Sequence, residues 1–154
     1  MKVIIISGPQ NSSKTTTLKK YIKEHDQNYL GYVSESSQNK SIYYLRNVLT
    51  NEITKLMQVE DCLSNEKIGK YNILLNAFEK ASETLLNQVS QFKGQDFVVV
   101  IDEVGRLELL NSGFDSLLKK LLNLNLDLIL CVRDSFLEDV CKKYNFTEYK
   151  LIKV

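Results

Sequence analysis

The chain has 154 residues, 44% hydrophobic and 25% charged, enough for one domain with a sizeable core and too few for two substantial ones. Its 20 basic and 19 acidic residues leave a net charge of +1, so no global field argues for nucleic acid or an anionic membrane. One histidine rules out a histidine cluster for metal, no segment is long and apolar enough to cross a bilayer, and the amino terminus lacks a signal-like arrangement, so cytoplasm is the expected compartment.

Lys2 to Ser7 is a short, almost wholly apolar run rich in Ile, which fits a buried central strand better than an amphipathic edge. Residues 14 to 24, KTTTLKKYIKE, place Leu18 and Ile22 one helical turn apart with lysines free for solvent. Between them lies GPQNSSKT, residues 8 to 15. A phosphate-binding loop wants glycine, four variable residues, then Gly-Lys-Ser/Thr, and only Ser13 departs from that pattern. Glycine is expected there because backbone amides approach the phosphate closely and a Cβ crowds them. The alternative is a plain polar turn.

Position favours the phosphate loop. The segment leaves a buried strand and enters a helix, whose free amides and dipole can face an anion. Lys14 would then supply a point charge to the outer phosphates and Thr15 a hydroxyl for magnesium. The candidate nucleotide-binding residues are Gly8, Pro9, Gln10, Asn11, Ser12, Ser13, Lys14, Thr15 and Thr16.

YLGYVS, residues 29 to 34, predicts another strand. From Ser41 to Met57 the pattern is ambiguous: IYYLRNVL is compatible with a helix, ITKLMQV alternates weakly like a strand, SNEKIGKYNI holds a turn and a further strand, and a run of small paired strands of unassigned register is the alternative for this stretch. Phe78, Ala81, Leu85, Leu86 and Val89 then recur at helical spacing within residues 74 to 91. FVVVID follows as a second buried strand. Asp102 emerges at its carboxyl end as a magnesium ligand, and the adjacent Glu103 as the group that orients and deprotonates an attacking water.

Phe114, Leu117, Leu118, Leu121 and Leu122 mark a helix over residues 114 to 122, LDLILCV a strand, SFLEDVCKKY a helix, and EYKLIKV a final strand. The alternation predicts an α/β fold with a mostly parallel central sheet and helices on both faces, in a single domain over residues 1–154. Cys131 and Cys141 read as buried small side chains and His25 as a surface or cap residue. Arg133, at a strand end, is a candidate for stabilising transferred negative charge, with pairing to Asp134 as the alternative. Arg46 reads as a surface salt-bridge residue, and Leu107, Leu109 and Leu110 as packing.

Taken together, GPQNSSKTTT, GYVSES, IGKYNI with the FEKASETLL helix, IDEVGRLELLNSGF and the late VRDSF resemble the cancer-related nucleoside-triphosphatase family, the THEP1-like branch of P-loop proteins. The resemblance spans nearly the whole chain in the family's order. It implies a P-loop NTPase-like domain that slowly hydrolyses ribonucleoside triphosphates with Mg2+ and discriminates weakly between bases. It places the family's loop lysine on Lys14, its magnesium hydroxyl on Thr15, and its acidic pair on Asp102 and Glu103. The catalytic set expected is Lys14, Glu103 and Arg133, with Thr15 and Asp102 for the metal.

Two other readings stay open. A small-molecule kinase would replace water with an acceptor, although no compact arginine-rich lid is visible. A weakly catalytic binding module would use nucleotide state to change partner affinity. The guanine-specific Asn-Lys-x-Asp signature is absent. Nucleic acid is disfavoured, since Lys19, Lys20 and Lys23 fit the solvent side of the first helix, and no protein partner is indicated.

Overall fold

The computed structural model describes residues 1–64 and 66–154. In chain order the elements are β1 (Val3–Gly8), α1 (Lys14–Glu24), β2 (Asn28–Ser36), β3 (Ile42–Asn47), β4 (Ile53–Gln58), β5 (Glu66–Ile68), β6 (Tyr71–Ile73), α2 (Ala77–Gln91), β7 (Phe97–Val104), α3 (Arg106–Leu109), α4 (Asp115–Asn123), β8 (Leu128–Arg133), α5 (Asp134–Tyr144) and β9 (Lys150–Lys153). The strands form one sheet in the order β5-β6-β4-β3-β2-β7-β8-β1-β9.

The predicted α/β architecture is present. Strands β2, β7, β8, β1 and β9 pair in parallel, and β3, β4, β6 and β5 extend one edge in antiparallel fashion. The apolar runs are continuous because the inner strands are covered on both faces. In β1, Val3 and Ile5 face one core while Ile6 faces the other; β7 and β8 alternate likewise. Leu18 of α1 packs with Ile6, Val100 and Ile129 on one side. The larger core on the opposite side holds Leu85 of α2, Leu118 of α4 and Val140 of α5.

The ambiguous middle resolves as sheet. IYYLRN is β3 rather than helix, paired to β2 and β4. Helical spacing of its apolar residues is overridden because Leu45 is buried in the larger core, while pairing with β2 and β4 satisfies the backbone. IGKYNI makes the β5–β6 hairpin; Asn65, just before it, lies outside the described residues. The helix expected from residue 74 begins at Ala77, behind a left-handed Asn76.

One position shows how closely β2 and β7 meet. Gly31 adopts φ +116°, and a Cβ there would lie 2.0 Å from the Val100 carbonyl oxygen. Only glycine satisfies both constraints.

Candidate functional site

The loop after β1 begins where two segments crowd Gly8. A Cβ on that residue would meet Ser12 Oγ at 2.6 Å and the Val154 carbonyl oxygen at 2.7 Å. The chain then turns through two left-handed residues, Asn11 at φ 58° and Ser13 at φ 67°. Ser13 is the residue preceding α1 and makes no side-chain cap hydrogen bond. Glycine is therefore preferred at Ser13 for a second reason besides close approach, since a left-handed backbone costs an L-residue about 1–2 kcal/mol.

Lys14, the first residue of α1, folds back over the loop. Its Nζ donates to the Pro9 carbonyl at 2.6 Å, the Gly8 carbonyl at 3.3 Å and Ser12 Oγ at 3.4 Å. Thr15 points the other way, and its hydroxyl donates to Asp102 Oδ2 at 2.6 Å. The sequence separation of the two is 87 residues, yet β1 and β7 flank β8 in the sheet, so both carboxyl ends open on the same edge. Thr16 is exposed on the next position of the helix.

Asp102 is 3% exposed. Its Oδ2 also accepts the Ser34 amide at 3.0 Å. Its Oδ1 has no hydrogen-bond partner among the described residues. Burial lifts the Asp102 carboxyl above its usual range, and the bonds from Thr15 and Ser34 pull it back only in part. A buried carboxylate oxygen without a donor is costly unless a cation meets it. The hydroxyl and carboxylate at this point are hard oxygen donors of the kind Mg2+ takes, usually one or two protein ligands completed by phosphate and water. Thr15 and Asp102 thus fit the ion.

Neighbouring strand residues point to opposite faces, so Asp102 and Glu103 would ordinarily diverge. A bulge prevents this. Register shifts between Ile101 and Val104 against β8, and Glu103 takes φ 62°, so both acidic residues line one cavity of about 430 Å³. Left-handed backbone at a non-glycine residue is strain of the sort that functional sites hold. Burial raises the Glu103 carboxyl, the Asp102 charge raises it further, and Lys14 and Arg133 oppose both. Glu103 nevertheless opens onto the cavity, so solvent tempers the effect of burial.

Arg133 also lines this cavity. Its guanidinium lies 5.4 Å from the Phe136 ring centroid, and the alternative pairing with Asp134 does not form; Asp134 accepts the Ser135 amide instead. Arg46 forms the surface salt bridge expected of it, its Nε 2.7 Å from Glu35 Oε1. The Glu108 carboxylate accepts the amides of Gly105 at 2.8 Å and Phe114 at 2.9 Å. Gly105 itself packs against Phe136. Leu107 is buried and Leu109 packs against the core, but Leu110 is 66% exposed and is no packing residue, because α3 ends there.

Three residues at this site escaped the sequence reading. Lys40, on the β2–β3 turn, donates to Asn11 Oδ1 at 3.0 Å, and Tyr71 of the β5–β6 hairpin donates to the Lys40 carbonyl at 2.7 Å. Tyr43 and Tyr71 meet edge to face at 5.1 Å. Burial pushes the Tyr43 hydroxyl up to about 12, with Tyr71 and Glu103 adding to it and Arg133 opposing. Lys40 and Tyr43 follow no motif and Tyr71 lies in IGKYNI with no role assigned to it there; strand pairing brings the three together.

Residues 3–154 match the model of the family described as NTPase. The chain is 25% identical over 139 residues to the nucleoside-triphosphatase THEP1 of Aquifex aeolicus, covering 85% of this chain and 78% of that protein. With the nucleoside-triphosphatase THEP1 of Thermotoga maritima it shares 27% identity over 153 residues, 96% of this chain and 85% of the other. The crystal structure of the Aquifex aeolicus THEP1 superposes with a TM-score of 0.79 at 20% identity, over 98% of this chain and 88% of that one. The solution structure of a human cancer-related nucleoside triphosphatase gives 0.70 at 19% identity, over 100% and 89%. Loop, acidic strand end, sheet and family match agree: this chain belongs to the NTPase family, in its THEP1-like branch of P-loop nucleoside-triphosphatases.

Proposed function

We propose that the protein catalyses slow, magnesium-dependent hydrolysis of nucleoside 5'-triphosphates to diphosphate and phosphate, with broad base tolerance. The observation that carries this reading is the contact of Thr15 with Asp102 beneath Lys14, where Asp102 Oδ1 is buried and unpartnered. In this reading the loop from Gly8 to Thr16 wraps the phosphates with its backbone amides, Pro9 excepted, and Lys14 exchanges the Gly8 and Pro9 carbonyls for phosphate oxygens. Thr15 and Asp102 hold Mg2+, which supplies charge neutralisation on the phosphates. Glu103 orients the attacking water and takes its proton. Arg133 balances charge that develops on the transferred group.

Base tolerance is supported by the missing Asn-Lys-x-Asp signature. Slowness is supported by the loop, where Ser13 keeps a Cβ in a left-handed position. The test is phosphate release from ATP, GTP, CTP and UTP with and without Mg2+, beside Lys14→Ala and Glu103→Gln. Release by the unmodified protein that both variants lose supports the assignment. Release that survives both substitutions rejects it.

A further inference from the structure

The cavity that Glu103 enters is far larger than hydrolysis requires. A water molecule takes up roughly 30 Å³ of liquid, whereas this space measures about 430 Å³ and falls in the range of small-molecule sites. Most of its wall has nothing to do with phosphate. Leu45, Leu56, Met57, Ile68, Tyr71 and Phe136 line it, contributed by β3, β4, the β5–β6 hairpin and α5.

Topology fixes which end of a nucleotide faces this wall. The loop lies at the end of β1, the acidic pair two strands away on β7, and β4 three strands beyond β7 on the side away from β1. At about 4.8 Å per strand, the apolar wall stands roughly 15 Å past the strand that carries Glu103. A triphosphate held by the loop with its terminal phosphorus toward Glu103 sends its nucleoside the opposite way. The chamber is then open to the terminal phosphorus and not filled by the nucleoside. This step rests on the nucleotide-binding reading above.

The rim adds charge. Lys70 and Arg106 both line the cavity, and neither has a salt-bridge partner among the described residues, unlike Arg46 and Lys19, which share Glu35. The hairpin that brings Ile68 and Lys70 is held to the segment between α3 and α4, with Ser112 Oγ donating to the Glu66 carboxylate at 2.5 and 2.7 Å.

We propose that this chamber is an acceptor site, and that the protein transfers the terminal phosphoryl group to a hydroxyl compound with a flat apolar body and an anionic substituent. The acceptor oxygen bonds to the terminal phosphorus as the bond to the bridging oxygen of the diphosphate breaks. The hydroxyl proton passes to the Glu103 carboxylate and then to solvent. Nucleoside diphosphate and the phosphate ester of the acceptor leave. Hydrolysis is the same displacement with water in the acceptor's place.

The test incubates the full chain with Mg2+ and ATP in the presence of para-(hydroxymethyl)benzoate, with benzyl alcohol as the uncharged comparison, and resolves ester from inorganic phosphate by phosphorus NMR. An oriented hydroxyl gains a large effective molarity, so ester is expected at more than about tenfold the share that the alcohol's mole fraction gives. Met57→Trp and Ile68→Trp, which fill the chamber away from the loop, should abolish the ester while phosphate release continues. Arg106→Ala, at an exposed rim position, should remove the preference for the carboxylate-bearing alcohol, and it decides the matter if both tryptophan variants fail to fold. Phosphate release that neither alcohol alters, with no ester, overturns the acceptor site and leaves hydrolysis standing. Neither phosphate nor ester from the unmodified protein overturns the nucleotide reading and the acceptor site together.

Discussion

Replacing Ser13 by glycine isolates the one departure from the phosphate-loop pattern. Ser13 sits at φ 67° and ψ 25°, immediately before α1. Holding an L-residue there costs about 1–2 kcal/mol, and glycine removes that cost while adding about 0.5–1 kcal/mol of chain entropy lost on folding. The Ser13 side chain makes no cap hydrogen bond, so no contact is forfeited. The net expectation for Ser13→Gly is stabilisation by about 0.5–1 kcal/mol, from those two opposing costs. For a chain of this length that raises Tm by roughly 1–4 °C. Removing the Cβ also lets the loop amides approach an anion more closely, so a non-hydrolysable ATP analogue should bind more tightly by titration calorimetry with Mg2+. Ser13→Val, β-branched at the same φ, should move both readouts the other way. If Ser13→Gly instead unfolds at lower temperature and binds the analogue more weakly, the strain argument is wrong and the Ser13 hydroxyl contributes a contact of its own.

Removal of Asp102 should separate metal binding from folding: Asp102→Ala is expected to lose the Mg2+-dependent part of the thermal shift given by the ATP analogue, while the apo protein stays folded by circular dichroism. Gly31→Ala should cost about 3 kcal/mol or more in urea unfolding, because overpacking and left-handed strain coincide at one position; a loss under about 1 kcal/mol would mean that β2 and β7 separate cheaply. Acid should unfold the protein partly through Asp115, whose side chain is 4% exposed. Burial alone would raise its carboxyl, but hydrogen bonds from Lys119, Tyr144 and Lys143 outweigh burial and lower it from 3.8 to about 2. A folded-state value below the unfolded one gives stability that is present above about pH 4 and lost as pH falls toward 2, worth about 2 kcal/mol. Unfolding of Asp115→Asn should show a weaker dependence across that window, and an unchanged dependence would refute the assignment.

The parallel heart of the molecule is readable from the order of its residues, and so are the two motifs at its strand ends. Val3–Ile6, Val98–Ile101 and Leu128–Val132 are apolar without interruption, and only a strand covered on both faces needs that composition. The loop at residues 8 to 15 and the acidic end of β7 stand out because the phosphate-loop pattern fixes particular residue types at set spacing along one stretch of chain. The β3–β6 extension does not, because IYYLRN is apolar at spacings that suit either helix or sheet, and only pairing with β2 and β4 decides between them. Nor did sequence show that a bulge turns Asp102 and Glu103 to one cavity, that Lys40 reaches Asn11, or that Glu108 is spent on the amides of Gly105 and Phe114. Those features depend on which strands lie side by side and in what register, and local pattern carries no information about partners that fold into place from distant parts of the chain.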